Sequence, residues 1–370
     1  QNVSKDGGSI ASAVERQALA WLKSLFYLPE TFDGIITTGA TSANFLWAIF
    51  ARQFAGQQQG INVAQQGMQG LSVEVFSASP HASMTKSLGL AGFGQQQITT
   101  VATLPDSEEM DINHLASLLN KSSAKSKMVI ASSGTVTATS FDDLTKVSLL
   151  CQQHDAWLHV DAAFGIFERL FNQTEGKTKG IELADSITVD FHKWLNVPYD
   201  AGAIFTRHQE IQVQSCHVNA PYLTNDNEHP AFLSLGVENS RRFRALPIWF
   251  TLLKYGREGI KAWVERNIAL AQALACWIKD QPNFELSIEC QLNVVVFRPI
   301  LPHLDDRQVD AFTRSFLQTV NQEGTVFMSA GNWQGKQVIR AAICNWQTSE
   351  DDLALVKASL LTSLEQVTNN

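Results

Sequence analysis

The sequence predicts an α/β protein, with a large domain built on a mainly parallel sheet and a smaller C-terminal α/β domain. Three observations carry this. Apolar strand patterns alternate with amphipathic helical patterns through the first two-thirds of the chain, the arrangement that builds parallel sheets. A long, mostly helical run covers Ala245–Asp280. After Pro282 the pattern changes to short strands alternating with two helices. The division expected is 1–280 for the large domain with its connecting helix, and 281–370 for the small one.

In chain order, residues 10–27 read as an amphipathic helix ending near Pro29, and Gly34–Thr37 as a short strand. Ser42–Phe54 reads as a helix after a Gly-Ala-Thr turn. Further strands are expected at Val73–Ser77, Ile98–Ala102, Met128–Ala131, Trp157–Val160, Ile187–Asp190 and Ala203–Thr206. Phe141–His154 is expected to be a helix, with Asp142 and Asp143 at its positive end. The glutamine-rich patch Gln57–Gly70 has too little apolar surface to pack and reads as a loop; Leu223–Pro230 is another polar stretch. The helical run 245–280 is softly broken around Gly256 and Gly259. The second part carries strands at Phe284–Ile288, Asn293–Phe297, Thr325–Ser329 and Val338–Ile343, with helices at 305–322 and 349–366.

Composition narrows the function classes. Hydrophobic residues are 45% and charged residues 17% of the 370, an ordinary globular balance that can bury a large core. A formal net charge of −8 argues against a generic nucleic-acid binder. No run of about 18 apolar residues suggests a membrane span, and the first residues, Gln-Asn-Val-Ser-Lys-Asp-Gly-Gly, contain no apolar signal core. Five scattered cysteines without a C-x-x-C suggest neither a disulfide framework nor a metal site, and fit free thiols in a cytoplasmic protein. Gly89, Gly92 and Gly94 are in the wrong order for a dinucleotide fingerprint.

The chemistry-bearing segment is Ala184–Leu195. An apolar strand ends in His192-Lys193-Trp194, which puts an amine where open α/β folds place ligands. Such a lysine can form a Schiff base when its surroundings lower its basicity; a strand-end lysine also commonly lies solvated along the surface. Upstream, Asp161 follows the strand Trp157–Val160. A carboxylate there needs a partner, either a protonated pyridine nitrogen or the ordinary choice of a helix cap or structural ion pair. Thr38-Gly39-Ala40-Thr41-Ser42-Ala43-Asn44 opens a helix with free N–H groups and hydroxyls, suited to a phosphate or to a plain cap. His81, after strand Val73–Ser77, could stack on a flat ring or serve structure alone.

Taken together, Gly39-Ala-Thr-Ser-Ala-Asn44, Ser79-Pro-His81-Ala-Ser83, Ser133-Gly-Thr135-Val-Thr-Ala-Thr-Ser-Phe-Asp142, His159-Val-Asp161-Ala-Ala163 and His192-Lys-Trp194 resemble the group II pyridoxal-phosphate (PLP) amino-acid decarboxylases in order and spacing. Ser240-Arg-Arg-Phe-Arg-Ala-Leu-Pro-Ile-Trp249 is most similar to their aromatic-amino-acid branch. The resemblance implies the aspartate aminotransferase-like fold (fold type I), PLP as cofactor, and decarboxylation of an L-amino acid to an amine and carbon dioxide by a homodimer. It implies that Lys193 holds PLP as a Schiff base, Asp161 pairs with the pyridine nitrogen and Ala163 packs near the ring. His81 would stack on the opposite face, and Ala40, Thr41, Ser186 and His192 would surround the phosphate. Thr135 would approach the ring oxygen. Asp190 stands where the aromatic branch often has Asn.

Two departures from the family are visible. The further N-terminal stretch that wraps the partner subunit is missing, implying a truncated chain or a simpler pocket. The interval Leu223–Ser240, where many relatives carry a loop Tyr that protonates the substrate carbon, has none; Tyr222 borders it and Phe232 lies within it. Aldehyde-forming oxidative decarboxylation, transamination, or a PLP-fold binding protein that has lost catalysis are the alternatives. Arg241, Arg242 and Arg244 could hold a carboxylate or serve packing.

Overall fold

The structure, a computed structural model, describes residues 9–217, 230–301 and 304–368. Tyr222, residues 223–229 of the polar stretch and the first eight residues lie outside these. Two compact units are present, Gln1–Thr135 with Phe141–Glu258, and Val136–Ser140 with Gly259–Asn370.

The first unit is built on seven strands: β1 (Asp33–Thr37), β2 (Val73–Ser77), β3 (Ile98–Thr100), β4 (Ser126–Ser132), β5 (Trp157–Asp161), β6 (Ser186–Asp190) and β7 (Gly202–Thr206). Their order across the sheet is β1-β7-β6-β5-β4-β2-β3. Only β7 runs against the rest, pairing antiparallel with β1 and with β6. The central strands are apolar and buried along nearly their whole length, as expected of a parallel sheet covered on both faces. The predicted α/β class with a mainly parallel sheet is the class observed.

Helices α1 (Ala11–Leu25), α2 (Ala40–Gln59), α3 (Val63–Gln66), α4 (Ala82–Leu90), α5 (Ile112–Lys121), α6 (Leu144–Gln153), α7 (Arg169–Asn172) and α8 (Gln209–Cys216) accompany the sheet, and α9 (Ala245–Asp280) begins in this unit. The expected glutamine-rich loop is largely helical instead. Glutamine is a good helix former, and α2 runs on until Gly60, at φ +73°, stops it. Gln59 is held by bonds to Ser72 and Ser126. Helix α6 begins three residues later than expected, because Phe141 bridges to Ser133 and the buried Asp142 accepts the Met110 and Ser132 N–H groups, each at 2.7 Å. Desolvation pushes the Asp142 carboxyl up to about 7 against the pull of those donors. Asp143 alone caps the helix.

The second unit holds a four-stranded antiparallel sheet, β8 (Phe284–Leu286), β9 (Val294–Pro299), β10 (Ser329–Trp333) and β11 (Lys336–Ala342), in the order β10-β11-β9-β8. Helices α10 (Asp306–Glu323) and α11 (Glu350–Thr368) and the later part of α9 pack a core around Leu274, Phe297, Phe316, Ile339 and Leu360. The strand expected at Thr325–Ser329 lies instead at Ser329–Trp333. Gln334 and Gly335, both at positive φ, form the tight turn that sets the hairpin register. Helix α9 is interrupted at Gly256, whose φ of 58° and ψ of −170° are non-helical. Among the described residues, no helix is long and apolar enough to cross a membrane.

One buried ion pair locks the first unit. Arg241 donates to both carboxylate oxygens of Glu15 at 2.7 and 2.8 Å and also to the Ile36 carbonyl, while Glu15 accepts the Ile36 N–H at 3.0 Å. Helix α1, strand β1 and the arginine-rich segment therefore meet at one point. Arg241→Met should strand a buried carboxylate and lower stability by about 3–5 kcal/mol, and adding Glu15→Gln should recover part of that. Urea denaturation of the single and double variants checks this; a single variant as stable as the wild type contradicts it.

Candidate active site

Because β1, β2, β4, β5 and β6 point the same way, the chain leaves all five at one rim of the sheet, and the polar residues that follow each strand collect there. Thr38 to Ser42 follow β1, His81 follows β2, Thr135 follows β4, Asp161 ends β5, and Asp190, His192 and Lys193 end β6.

Lys193 brings an amine to this rim. Its Nζ lies 3.2 Å from Asp190 Oδ2 and 5.9 Å from the centre of the Phe164 ring, with its side chain 36% exposed. Asp190, only 4% exposed, is the hub of the β6 end: Oδ1 also accepts the Ala40 N–H at 3.0 Å and lies 3.4 Å from His192 Nε2. Ala40 is the first residue of α2, so this carboxylate sits at the positive end of that helix. The N–H groups of Thr41 and Ser42 belong to the same first turn and have no partner within the helix. The Thr38 and Ser42 hydroxyls share a short hydrogen bond beside them. Gly39 closes the turn at φ +149°; a Cβ there would lie 2.8 Å from His192 Cε1, so only glycine permits this approach.

Asp161 faces the rim half-buried. Oδ1 accepts the Ala163 N–H at 3.2 Å and Oδ2 accepts an Asn44 Nδ2 hydrogen at 3.1 Å. Asn44, fully buried in α2, also donates to Ser83 Oγ at 3.0 Å, and its Oδ1 lies 3.3 Å from His159 Nε2. His159 stacks on Trp47 with ring centres 4.5 Å apart, and its Nδ1 lies 2.8 Å from Ser186 Oγ, which accepts from Trp157 Nε1 at 2.9 Å. Burial pushes the His159 imidazole well below its ordinary value, so it is neutral at physiological pH. His81 is exposed and caps α4, its Nδ1 2.7 Å from Ser83 Oγ and accepting the Ser83 N–H at 3.2 Å.

The structure therefore brings Lys193, His192, Asp161, Ala163, His81, Ala40, Thr41 and Thr135 to the same rim. Thr135 donates to the Glu108 carboxylate, in a segment that Ser79 also holds through the Glu108 carbonyl at 3.0 Å. Ser186 is not brought there. It opens β6, four residues before the end that carries Asp190, and its buried hydroxyl serves Trp157 and His159. The arginines are engaged with carboxylates: Arg241 as above, Arg242 with Asp200 at 3.3 Å, and Arg244 with Asp200 at 3.0 Å and Glu238 at 2.9 Å. Sequence reasoning assigned no role to Asn44 or Ser83. A polar Asn in the apolar stretch that continues Phe-Leu-Trp-Ala-Ile-Phe is the signal that marks the first.

The donor set fits the cofactor expected from the sequence. The Gly39 turn, the α2 amino end, two hydroxyls and His192 suit a phosphate. An acceptor held from both sides at Asp161 suits a ring nitrogen, and an amine within reach of Asp190 suits the aldehyde. The comparisons agree. A conserved domain described as the pyridoxal-dependent decarboxylase domain matches residues 8–300. The chain is 27% identical to the aromatic-L-amino-acid decarboxylase of Bacillus atrophaeus, over 97% of this chain and 75% of that protein. It is 26% identical to the L-2,4-diaminobutyrate decarboxylase of Acinetobacter baumannii, over 98% and 74%. The fold matches a structure of Oryza sativa TDC with PLP and tryptamine at a TM-score of 0.89, with 23% identity, covering 97% of this chain and 77% of that one.

His159 gives the site a pH signature. Its folded affinity for a proton is depressed, so below about pH 6.5 the unfolded chain takes up a proton that the folded chain refuses. The stability it contributes is complete above that pH and lost as pH falls. His159→Gln should reduce the loss of unfolding free energy between about pH 7.5 and 5.5, measured by urea denaturation at each. An identical loss in both proteins contradicts the buried neutral imidazole.

Proposed function

The chain belongs to the pyridoxal-dependent decarboxylase family, and we propose that this PLP-dependent carboxy-lyase removes the carboxylate of an L-amino acid, an aromatic one first among the candidates, with Lys193 as the residue that binds the cofactor. The observation that carries the proposal is the convergence at one rim of a lysine amine, a half-buried carboxylate and a helix amino end lined with hydroxyls. The aromatic preference rests on the Bacillus relative and on the Ser240–Trp249 segment.

When bound, the cofactor supplies an electron sink for the pair released as the substrate's carboxylate leaves as carbon dioxide. The chain's own residues would do the rest. Asp161 holds a proton on the ring nitrogen. Asp190 holds the Lys193 amine in place, 3.2 Å from its Oδ2, until the cofactor arrives. Ala40, Thr41 and His192 take the phosphate and Thr135 the ring oxygen, while Ala163 and His81 bound the ring's two faces. Ser186 is left out, since it belongs to the far end of β6. A homodimer is part of this reading: Phe250 and Leu253, each more than half exposed on α9, are the apolar surface that a second copy would cover. The five free cysteines support a cytoplasmic setting.

A second reading is favoured by one specific observation. With no Tyr in Leu223–Ser240, the alpha carbon would take its proton from another group, such as His81, water or Tyr222, unless a neighbouring subunit supplies the donor. Slow protonation would let oxygen take the electron pair instead, O2 being reduced to hydrogen peroxide, and water would then release the oxidised product as aldehyde and ammonia beside carbon dioxide.

Screening the amino acids for carbon dioxide release, with PLP present, is expected to give the highest rate with an aromatic substrate; no release from any of them contradicts the proposal. On the best substrate, Asp161→Asn should lower the rate by about a hundredfold or more, because the charge that holds the ring proton is gone. Amine and peroxide should both accumulate in air, and peroxide should vanish under nitrogen. Amine equal to carbon dioxide with no peroxide in air contradicts the second reading alone.

A further inference from the structure

The hydrogen bonds behind Asp161 form a relay whose direction follows from the donors at its two ends, Asn44 Nδ2 and Trp157 Nε1. The Asn44 amide turns its NH2 toward Asp161 Oδ2, donating at 3.1 Å. The second NH2 hydrogen goes to Ser83 Oγ at 3.0 Å, whose own hydrogen can then go to His81 Nδ1 at 2.7 Å. That leaves Asn44 Oδ1 as an acceptor facing His159 Nε2 at 3.3 Å. A neutral His159 therefore carries its hydrogen on Nε2, and its Nδ1 accepts from the Ser186 hydroxyl at 2.8 Å. Ser186 in turn accepts from Trp157 Nε1 at 2.9 Å. Every donor points the same way, from Trp157 through Ser186, His159 and Asn44 to Asp161. Trp157, Ser186, His159 and Asn44 are all buried.

We propose that Asn44 is a positioning residue which, at the end of this relay, donates to Asp161 and so keeps the proton they face on the cofactor's ring nitrogen. This rests on the assignment of Asp161 to the ring nitrogen. The sign follows from the chemistry. A proton shared between a carboxylate and a pyridine nitrogen lies on the nitrogen when the carboxylate's charge is stabilised. A hydrogen bond donated to an anion stabilises it. Aligned dipoles feeding that donor strengthen it in a low-dielectric interior. Remove the donor and the proton moves toward Asp161, which leaves the ring a poorer electron sink. A residue serving packing alone would affect stability and cofactor affinity without moving this proton. The Ala163 N–H still holds Oδ1, so Asp161 keeps one of its two donors when Asn44 is replaced.

The test is a nitrogen NMR measurement on protein reconstituted with PLP labelled with nitrogen-15 in the ring. The wild type is expected to show a protonated ring nitrogen. Asn44→Leu, which fits an apolar helix face, should shift the resonance toward the unprotonated reference. His159→Phe, which keeps the stacking on Trp47 but removes both hydrogen bonds, should shift it the same way by less. Ser186→Ala, a small change should the others fail to fold, should also move it in that direction. If every folded variant keeps the wild-type shift, the relay has no hold on the proton and the proposal is overturned while the cofactor assignment stands. A wild type whose ring nitrogen is already unprotonated removes Asp161 from its assigned role, and the proposal with it.

Discussion

A carboxylate at the end of a buried strand must be matched by donors or a cation, and this protein has two of them side by side, Asp161 on β5 and Asp190 on β6. Almost everything at the rim answers that demand. Asp190 draws in the first N–H of α2, His192 and the Lys193 amine. Asp161 draws in the Ala163 N–H and the Asn44 amide, and through Asn44 it recruits His159 and Ser83. Helix α2 is common to both, giving Asp190 its first backbone N–H and Asp161 a side chain one turn later. The geometry of the rim is thus set by how one helix starts against two strand ends, with Gly39 allowing the close approach.

Much of this was legible in the sequence because strong local signals coincide there. The central strands are continuous apolar runs with no competing helical period, so Met128–Ala131 and Ile187–Asp190 could be placed to within a residue or two. Parallel strands separated by helices must all exit at one edge, which is why Asp161, His81 and Lys193 could be expected together before any coordinate was known. The long helices of the second unit were equally plain, with 305–322 and 349–366 expected where α10 and α11 lie.

What escaped the sequence depends on partners distant along the chain. The glutamine patch continues α2 because Ser72 and Ser126 supply bonds for Gln59. Asp142 looks like a helix cap, yet it is taken by N–H groups of Met110 and Ser132. Strand β10 is placed by a turn at Gln334 and Gly335 rather than by the apolar pattern of Thr325–Ser329. Ser186 reads as part of the Lys193 segment, but a strand of five residues separates its start from its end by more than a phosphate can span, at roughly 3.3 Å per residue. Asn44 illustrates the reverse case: its type was out of keeping with its neighbours, and only the fold reveals that it faces Asp161.

Every role proposed at the rim depends on Lys193 as the point of cofactor attachment. Borohydride reduction of the protein with bound PLP, followed by peptide mapping, tests this directly, since it fixes the cofactor to whichever amine carries it. A single labelled peptide is expected, with the modification on Lys193 in the stretch Ser186–Asn196. A label on another lysine, or none with PLP in excess, would contradict it.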